Sequence, residues 1–342
     1  MTSRNPSPRT LTIPRSESTR LLREHYGIEA VGLTPLHSEL STVVGVDLVD
    51  GTRRVFRASA SSPRELVLAH WRIGAADRLD DSGIPTGRSV PALSGEKVVE
   101  AETSDGPAAL HVGEWLDGFM LSAALPTPFL MRAVGEAAAR VSAGLADWPA
   151  PPAEVAHPWE LLRTVETIQA TVHSVTDPAA RRLVDEALAR FTATVEPRLA
   201  DLPHQVVHHD LHDSNILVDT ASERVTGVLD FGDMVWGPRI ADLAIPGTHG
   251  ARSSLDPTSA FIEVAEGWGR VSALEPEEID LVFTAGLGRL AVNLSVWTDR
   301  ANTERAEYAR ARSARTAKTL RRLLAADEAT VRAELHRRLG RR

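Results

Sequence analysis

The spacing of apolar residues changes about a third of the way along the chain, and this change constrains the fold more than any other feature. Up to residue 117, short runs alternate β-branched and polar residues, with a hairpin signal at Asp50-Gly51. A single helical stripe, "SSPRELVLAHWRIGAADRLDDSG", interrupts these runs. From about Pro126 onward the apolar residues recur at helical spacing. The sequence therefore predicts an α+β fold, with a small antiparallel β lobe containing one inserted helix followed by a larger, mainly helical lobe.

A chain of 342 residues is long enough for two lobes with separate cores. We expect a disordered tail over residues 1–16, an N-terminal lobe over 17–117 and a C-terminal lobe over 118–342. The first residues lack the apolar centre of a secretory signal, and no run of about 18 apolar residues predicts a membrane span. The sequence has no cysteine, which excludes disulfides, thiolate nucleophiles and cysteine-bound metals. A cytoplasmic location is expected.

Charge is unevenly distributed along the chain. Residues 299–342 include 13 basic and 6 acidic residues, although the whole chain has a net charge of −8. The apolar residues in this basic segment have helical spacing, which favours a solvated amphipathic helix over a nucleic-acid-binding arm. The remainder is strongly acidic, which argues against nucleic acid as a partner and favours a cationic small molecule.

Three short apolar runs interrupt the helices of the second lobe, and the polar segment "HHDLHDSNILVD" lies among them at residues 208–219. His208 and His212 have the i, i+4 spacing of a zinc pair, which leaves a metal-dependent hydrolase as an alternative. However, the glutamate of an H-E-x-x-H motif is missing, and the flanking runs are strand-like. A plain Asp/Asn-rich turn is a further alternative.

Phosphoryl transfer explains this segment together with "GVLDFGD" at 227–233. That reaction needs a carboxylate near the incoming hydroxyl, and oxygen ligands that hold Mg²⁺ against the phosphates. Asp210, Asn215 and Asp230 provide these groups in the required order. Since Mg²⁺ keeps several water ligands, one asparagine and one aspartate suffice on the protein side.

These segments carry a family resemblance. "HHDLHDSNILVD" resembles the H-x-D-x-x-x-x-N catalytic loop of the aminoglycoside phosphotransferase and choline-kinase-like family, and "VLDFGD" resembles its metal-binding segment. "WGPRIADLAIP" is similar to the Asp-Leu-Ala element that follows in that family. The "FGD" ending and the late "GRLAVNLSVW" helix are most similar to the hydroxylysine-kinase-like and homoserine-kinase-like branch. The resemblance covers most of the chain beyond residue 20 and implies a protein-kinase-like fold.

The resemblance also implies roles in the second lobe. Asp210 would be the catalytic base or the carboxylate that orients the hydroxyl, while Asn215 and Asp230 would bind Mg²⁺. Three further residues would support the site: His208, Asp233 and Asp242. The first would hold the loop, the second would face the substrate or a second metal, and the third would hydrogen-bond to the catalytic loop within the lobe.

In the first lobe, Arg57 occupies the position at which the family pattern has a phosphate-binding lysine, and Glu65 would be its partner. The whole chain contains only two lysines, so arginine is its usual basic residue. Arginine retains the charge, but its planar group makes the exchange a real change. Backbone groups of Glu114 and Leu116 would meet the adenine of the nucleotide.

We therefore predict an enzyme that uses ATP or GTP with Mg²⁺ to phosphorylate a hydroxyl group of an amine-bearing small molecule, such as an aminoglycoside or an amino alcohol. It would act as a monomer or homodimer, without a membrane partner. A catalytically silent nucleotide-binding regulator would also account for Arg57. "GLGRLA" at 286–291 matches a dinucleotide-binding pattern, but it lies within a helical stretch and indicates close helix packing.

Overall fold

The computed structural model describes residues 9–301 and 306–339. The chain forms two compact units, one of Met1–Leu116 with Pro151–Ala153 and one of Asp117–Ala150 with Glu154–Arg342. We call them the N-terminal and C-terminal lobes. The first contains an antiparallel sheet and the second is mainly helical, which confirms the predicted α+β class.

The N-terminal lobe contains two helices and a five-stranded sheet. Its elements are α1 (Arg15–Tyr26), β1 (Ala30–Leu36), β2 (Ser41–Leu48), β3 (Arg53–Ala60), α2 (Pro63–Asp81), β4 (Val98–Thr103) and β5 (Gly106–Glu114). The sheet has the order β1-β2-β3-β5-β4, and all neighbouring strands are antiparallel. The β2–β3 hairpin turns at Gly51, whose φ of 82° suits glycine, while Asp50 accepts a hydrogen bond from the Thr52 backbone N–H.

One face of this sheet covers the core of the lobe. Phe56 and Ala58 on β3 are fully buried and belong to the same apolar cluster as Leu21 and Leu22 of α1. Since side chains alternate along a strand, Arg57 lies on the opposite face of the sheet. Its strand neighbours are Val43 and His111 in the β2 and β5 registers.

The predicted N-terminal tail is partly wrong. Residues 1–8 lie outside the described residues, but residues 9–16 are packed against the lobe and α1 already begins at Arg15. Leu11 is 1% exposed, and its backbone N–H donates to the Leu40 carbonyl oxygen at 2.9 Å. Ile13 is also buried. Two apolar side chains at alternate positions are enough to fix this extended segment to the core.

The C-terminal lobe contains eight α-helices and two small sheets within the described residues. Its elements are β6 (Phe119–Met120), α3 (Pro128–Leu145), α4 (Thr164–Thr171), α5 (Pro178–Thr194), β7 (His204–Val207), β8 (Ile216–Asp219), β9 (Arg224–Val228), β10 (Val235–Pro238), α6 (Ala241–Gly250), α7 (Pro257–Gly269), α8 (Pro276–Arg300), α9 (Ala306–Leu324) and α10 (Glu328–Leu339). Strands β6, β8 and β9 form one sheet in that order, and β10 pairs with β7 in the other.

Helix α8 is the central helix of this lobe. By length and composition alone it is apolar enough to cross a membrane, a property that the sequence analysis missed, but 94% of its apolar window is buried inside the protein. The "GLGRLA" stretch lies within it. A Cβ atom at Gly288 would lie 2.4 Å from a ring atom of Phe191 on α5, so this glycine permits a close helix contact. The stretch therefore serves helix packing, as predicted.

The basic C-terminal segment forms two helices, where the sequence had predicted one amphipathic helix. Leu320 and Leu323 of α9 and Leu335 of α10 are fully buried, so each helix turns an apolar side toward the lobe.

Candidate active site

The two polar motifs of the C-terminal lobe are brought together by the β8–β9 hairpin. Ile216 pairs with Val228, and the Leu229 backbone N–H donates to the carbonyl oxygen of Asn215 at 2.8 Å. Asp230 follows directly in the chain. The end of one motif therefore lies beside the start of the other, and side chains from both can act on one ligand.

The Asp210 carboxylate is held from two sides. Its Oδ2 accepts a hydrogen bond from Nδ2 of Asn215 at 2.7 Å, and the same Nδ2 donates to the Asp210 carbonyl oxygen at 3.0 Å. Its Oδ1 accepts from Nη2 of Arg289 at 3.4 Å. The carboxylate is thus fixed in position by one neighbour in the loop and one from helix α8.

The surroundings of Asp210 raise its pKa well above the ordinary aspartate value. Burial is the largest cause, followed by the negative charge of Asp233, and Asp230 adds to it. The positive charge of Arg289 opposes this rise. An aspartate with a raised pKa accepts a proton more readily than a free carboxylate, which suits a general base.

Asp242, in the first turn of α6, fixes the start of the catalytic loop. Its Oδ2 accepts from the His208 backbone N–H at 3.0 Å and its Oδ1 from the His209 N–H at 2.8 Å. His209 has a φ of 66°, which is unfavourable for a residue with a side chain. Burial raises the pKa of Asp242 to about 7, and these two N–H groups oppose the rise. The loop conformation therefore depends on Asp242.

Two of the three loop histidines, His208 and His212, are neutral and take part in local hydrogen bonds. Burial lowers the pKa of His208 to about 4, and its Nδ1 accepts from the Asp210 backbone N–H at 3.3 Å. Its ring lies 4.6 Å from that of Phe231. The Nδ1 of His212 accepts from the Ser214 N–H at 3.0 Å. Both Nδ1 atoms are therefore engaged by the backbone of a non-helical loop, and this geometry does not favour the zinc alternative.

Asn215 and Asp230 offer oxygen atoms to a metal ion. The NH₂ group of Asn215 is bonded to Asp210, so Oδ1 is the atom through which this side chain can bind a cation. Asp230 is exposed at a φ of 62°, and its Oδ1 accepts from the Gly232 N–H at 3.2 Å. Within the described ranges, no group of three or more His, Asp or Glu side chains is clustered as a metal site. Two oxygen ligands plus water and phosphate oxygens nevertheless fit the needs of Mg²⁺.

Asp233 lies near the same site. Its carbonyl oxygen is 3.1 Å from Nε2 of His157. Its charge adds to the rise that burial causes in the pKa of Asp210, and it opposes the lowering that burial causes in the pKa of Arg289. The carboxylate therefore adds negative charge beside the catalytic loop.

In the N-terminal lobe, Arg57 is half-buried on β3 and its charge helps to lower the pKa of His111 to about 4, although burial is the main cause. Glu65 lies in the first turn of α2, where its backbone N–H donates to Oγ of Ser62 at 3.2 Å. Its carboxylate is 3.8 Å from Nη1 of Arg72. The pairing of Arg57 with Glu65 stays a prediction.

Glu114 is the last residue of β5 and Leu116 follows the strand, but the backbone N–H of Glu114 is already hydrogen-bonded. The Glu114 N–H donates to the Arg88 carbonyl oxygen at 2.9 Å. Gly87, with a φ of 81°, allows this approach, because a Cβ atom there would lie 2.8 Å from the Glu114 carbonyl oxygen. An adenine contact with the Glu114 N–H would require this bond to open, so the role of Glu114 stays a prediction.

Arg289 is the residue of this site that sequence reasoning missed. It is 3% exposed on α8, and its guanidinium carbon lies 5.2 Å from the ring centre of Trp159. The sequence analysis assigned its segment to helix packing alone. A signal was present, because a buried helical stripe seldom contains an arginine unless the charge has a partner.

Several known proteins resemble this chain in sequence. A family model described as a phosphotransferase enzyme family matches residues 32–274. A hydroxylysine kinase from Xenopus laevis is 27% identical over 229 residues, which cover 60% of this chain and 59% of that protein. One from Danio rerio is 24% identical over 294 residues, 82% of each chain. The matched part of this chain thus spans less than two thirds of the frog protein and most of the zebrafish protein.

Solved structures share the fold. A microcompartment-associated aminopropanol kinase superposes with a TM-score of 0.67 and 17% identity, over 91% of this chain and 98% of that one. An amicoumacin kinase in complex with AMP-PNP and Ca²⁺ also gives a TM-score of 0.67, with 16% identity over 92% and 96% of the two chains. These neighbours confirm the predicted kinase-like fold.

Proposed function

Because the chain belongs to the phosphotransferase enzyme family, we propose that it transfers the γ-phosphate of ATP or GTP to a hydroxyl group of an amine-bearing small molecule. The observation that carries the proposal is the half-buried Asp210 carboxylate, fixed by Asn215 and Arg289 beside the exposed Asp230. The names of the relatives support the acceptor class, since hydroxylysine and aminopropanol each carry a hydroxyl and an amine.

In this reaction the acceptor oxygen forms a bond to the γ-phosphorus, and the bond from that phosphorus to the bridging oxygen breaks. The electron pair of the broken bond stays on the leaving nucleoside diphosphate. The hydroxyl proton passes to an oxygen of Asp210, whose raised pKa favours its uptake. Most of the rate acceleration comes from positioning, which explains why Asn215 and Arg289 hold this carboxylate from both sides.

A Mg²⁺ ion would neutralise phosphate charge when bound. Oδ1 of Asn215 and the carboxylate of Asp230 are the groups that would hold it. Asp230 is prepared for this role, since the Gly232 N–H fixes one of its oxygens. Asn215 is likewise oriented by its two bonds to Asp210.

We propose that Arg57 binds the nucleotide phosphates. It lies on β3, on the face of the sheet away from the lobe's core, and its guanidinium can donate two N–H groups to a phosphate. Glu65 is anchored at the start of the next helix. We also propose a cytoplasmic location, and action as a monomer or homodimer.

Family membership favours phosphoryl transfer over the metal-dependent hydrolase that the histidines had left open. A silent nucleotide-binding regulator of the same fold remains a second candidate, because Arg57 replaces the usual lysine. The bonds between Asp210 and Asn215 favour the enzyme, since a regulator has no need of a carboxylate fixed in this way.

The test is ADP or GDP release from MgATP and MgGTP across a panel of aminoglycosides, amino alcohols and hydroxylated amino acids. Asp210→Asn is the catalytic variant, and Asp219→Asn is the matched control from the exposed end of the same motif. Turnover that Asp210→Asn abolishes and Asp219→Asn retains supports the proposal. Nucleotide binding without turnover on any acceptor would support the regulator instead.

A further inference from the structure

A positively charged side chain lies beside Asp210, although the chain as a whole is acidic. Arg289 places its Nη2 3.4 Å from Oδ1 of Asp210 and is 3% exposed. Its Nε and Nη1 are buried without a hydrogen-bond partner in the part of the chain that the structure describes. Buried donors without acceptors are costly, and their presence at a catalytic carboxylate indicates a ligand that supplies the acceptors.

A second arginine faces the same region from helix α9. Nη1 of Arg312 donates to the Tyr308 hydroxyl oxygen at 2.7 Å, and its guanidinium carbon lies 4.8 Å from the ring centre of Trp297. Its positive charge opposes the rise in the pKa of Asp210 and contributes to the low pKa of His212. Arg312 therefore packs on Trp297, whose ring stacks on the ring of Trp159 beside Arg289.

Two indole rings support these cations. Trp159 and Trp297 stack with 5.8 Å between ring centres. Arg289 and Arg300 each lie 5.2 Å from the ring centre of Trp159. A guanidinium held by its face against an aromatic ring still presents the N–H groups of its edge, which is the edge that binds a planar anion. We call Trp159, Arg289, Trp297 and Arg312 the acceptor wall.

Negative groups are also present nearby. Asp233 and Asp230 both contribute negative charge at Asp210, and Asp230 is exposed. The site therefore offers carboxylates to an ammonium group and guanidinium groups to an anion. A purely cationic acceptor, such as an aminoglycoside, would bind to the carboxylates and leave the guanidinium groups without an anion.

We propose that the acceptor carries a carboxylate in addition to its hydroxyl and amine, so that it is a hydroxylated amino acid, and that Arg289 and Arg312 bind this carboxylate. A carboxylate fits because its two oxygens match two parallel N–H groups of a guanidinium. This inference rests on the proposed function and deepens it. It also replaces the expectation, drawn from the overall acidity of the chain, that the acceptor is simply cationic.

The test compares acceptors that differ only in the carboxylate, namely homoserine with 3-aminopropan-1-ol, and hydroxylysine with its decarboxylated amino alcohol. We expect kcat/KM to be at least about tenfold higher for the carboxylated member of one pair, the size of a charged hydrogen bond. Arg312→Gln should remove this advantage mainly by raising KM for the carboxylated acceptor. Arg310→Gln, from an exposed position on the same helix, is the matched control and should leave the advantage intact.

Three results would overturn the inference while leaving the phosphotransferase intact. The first is equal or better turnover of the decarboxylated acceptors or of aminoglycosides. The second is an equal effect of Arg312→Gln on both members of a pair, which would indicate a structural role. The third is preference for glycerol 3-phosphate, which would assign the arginines to a phosphate. A lack of turnover with every acceptor, despite nucleotide binding, would overturn the proposed function as well. The unfolding midpoints of both variants verify that each is folded.

Discussion

The catalytic loop contains Asp210, and the acceptor wall contacts that carboxylate through Arg289. The two are built in different ways. In the loop, the Asp210 carboxylate accepts a hydrogen bond from Asn215 five residues later, and the Asp210 backbone N–H donates to Nδ1 of His208. In the wall, Trp159 precedes α4, while Arg289 and Arg312 come from α8 and α9. Short-range contacts leave a motif in the sequence, whereas packing between distant helices does not. The chemistry of this protein is therefore easier to predict from sequence than its specificity.

The largest effect should come from substituting the carboxylate of the catalytic loop. Asp210→Asn keeps the size of the side chain but removes the base, so we expect kcat to fall about 1,000-fold with the affinity for MgATP retained. Steady-state kinetics and equilibrium nucleotide binding measure the two quantities, with Asp219→Asn as the control. Activity within tenfold of the wild type would show that the motif does not carry the chemistry.

Removing the side chain that supports the loop should have the next largest effect. Asp242→Ala removes two hydrogen bonds to a buried carboxylate and leaves the His208 and His209 N–H groups unpaired, so the free energy of unfolding should fall by about 3 kcal/mol. Urea unfolding measures this change. Asp256→Ala, which removes the exposed cap of α7, is the comparison and should cost less. Equal costs would mean that Asp242 does not support the loop.

The pH dependence of stability tests the same residue. Since the pKa of Asp242 is raised to about 7, the folded protein holds a proton there that the unfolded chain releases near pH 4. The stability linked to this proton is complete below about pH 4 and is lost as the pH rises toward 7 and beyond. The stability of the wild type relative to Asp242→Asn should therefore decrease from pH 5 to pH 8. A constant difference would contradict the raised pKa.

Arg57 extends the comparison to the N-terminal lobe, where arginine stands at the position at which the family pattern has a phosphate-binding lysine. Arg57→Met should raise KM for MgATP about tenfold, because one charged contact to phosphate is lost, while Arg57→Lys should retain most of the affinity. Arg54→Met on the same strand is the control. If Arg57→Met leaves KM for MgATP unchanged, Arg57 does not bind the nucleotide.

The smallest effect should come from removing the contact between Arg289 of the acceptor wall and Asp210 of the catalytic loop. The charge of Arg289 favours the ionised form of Asp210, so its removal should raise the pKa of that base further. In Arg289→Met, the acidic limb of the kcat profile should move to higher pH, with Arg310→Met as the unchanged control. An unshifted limb would show that the two groups do not interact during catalysis.

Much of the fold followed from periodicity. Alternation in the first third and helical spacing afterwards predicted the two kinds of lobe, and the catalytic motifs identified Asp210, Asn215 and Asp230 as neighbours. The burial of Leu11 and Ile13 could not be read in the same way, because two apolar residues in a short polar segment are too few to establish a period. Arg289 was missed because its environment depends on Trp159, which lies 130 positions earlier in the chain. Such contacts become visible only once the helices are packed.

The most direct test of the account is a phosphorus NMR spectrum of the wild-type protein with MgATP and the acceptor that gives the fastest ADP release. The account predicts that a phosphate monoester resonance grows together with ADP, at equal amounts, and that neither appears at a comparable rate with Asp210→Asn. ADP accumulating with free inorganic phosphate, and with no monoester, would contradict transfer to a hydroxyl and would show that the protein hydrolyses the nucleotide instead.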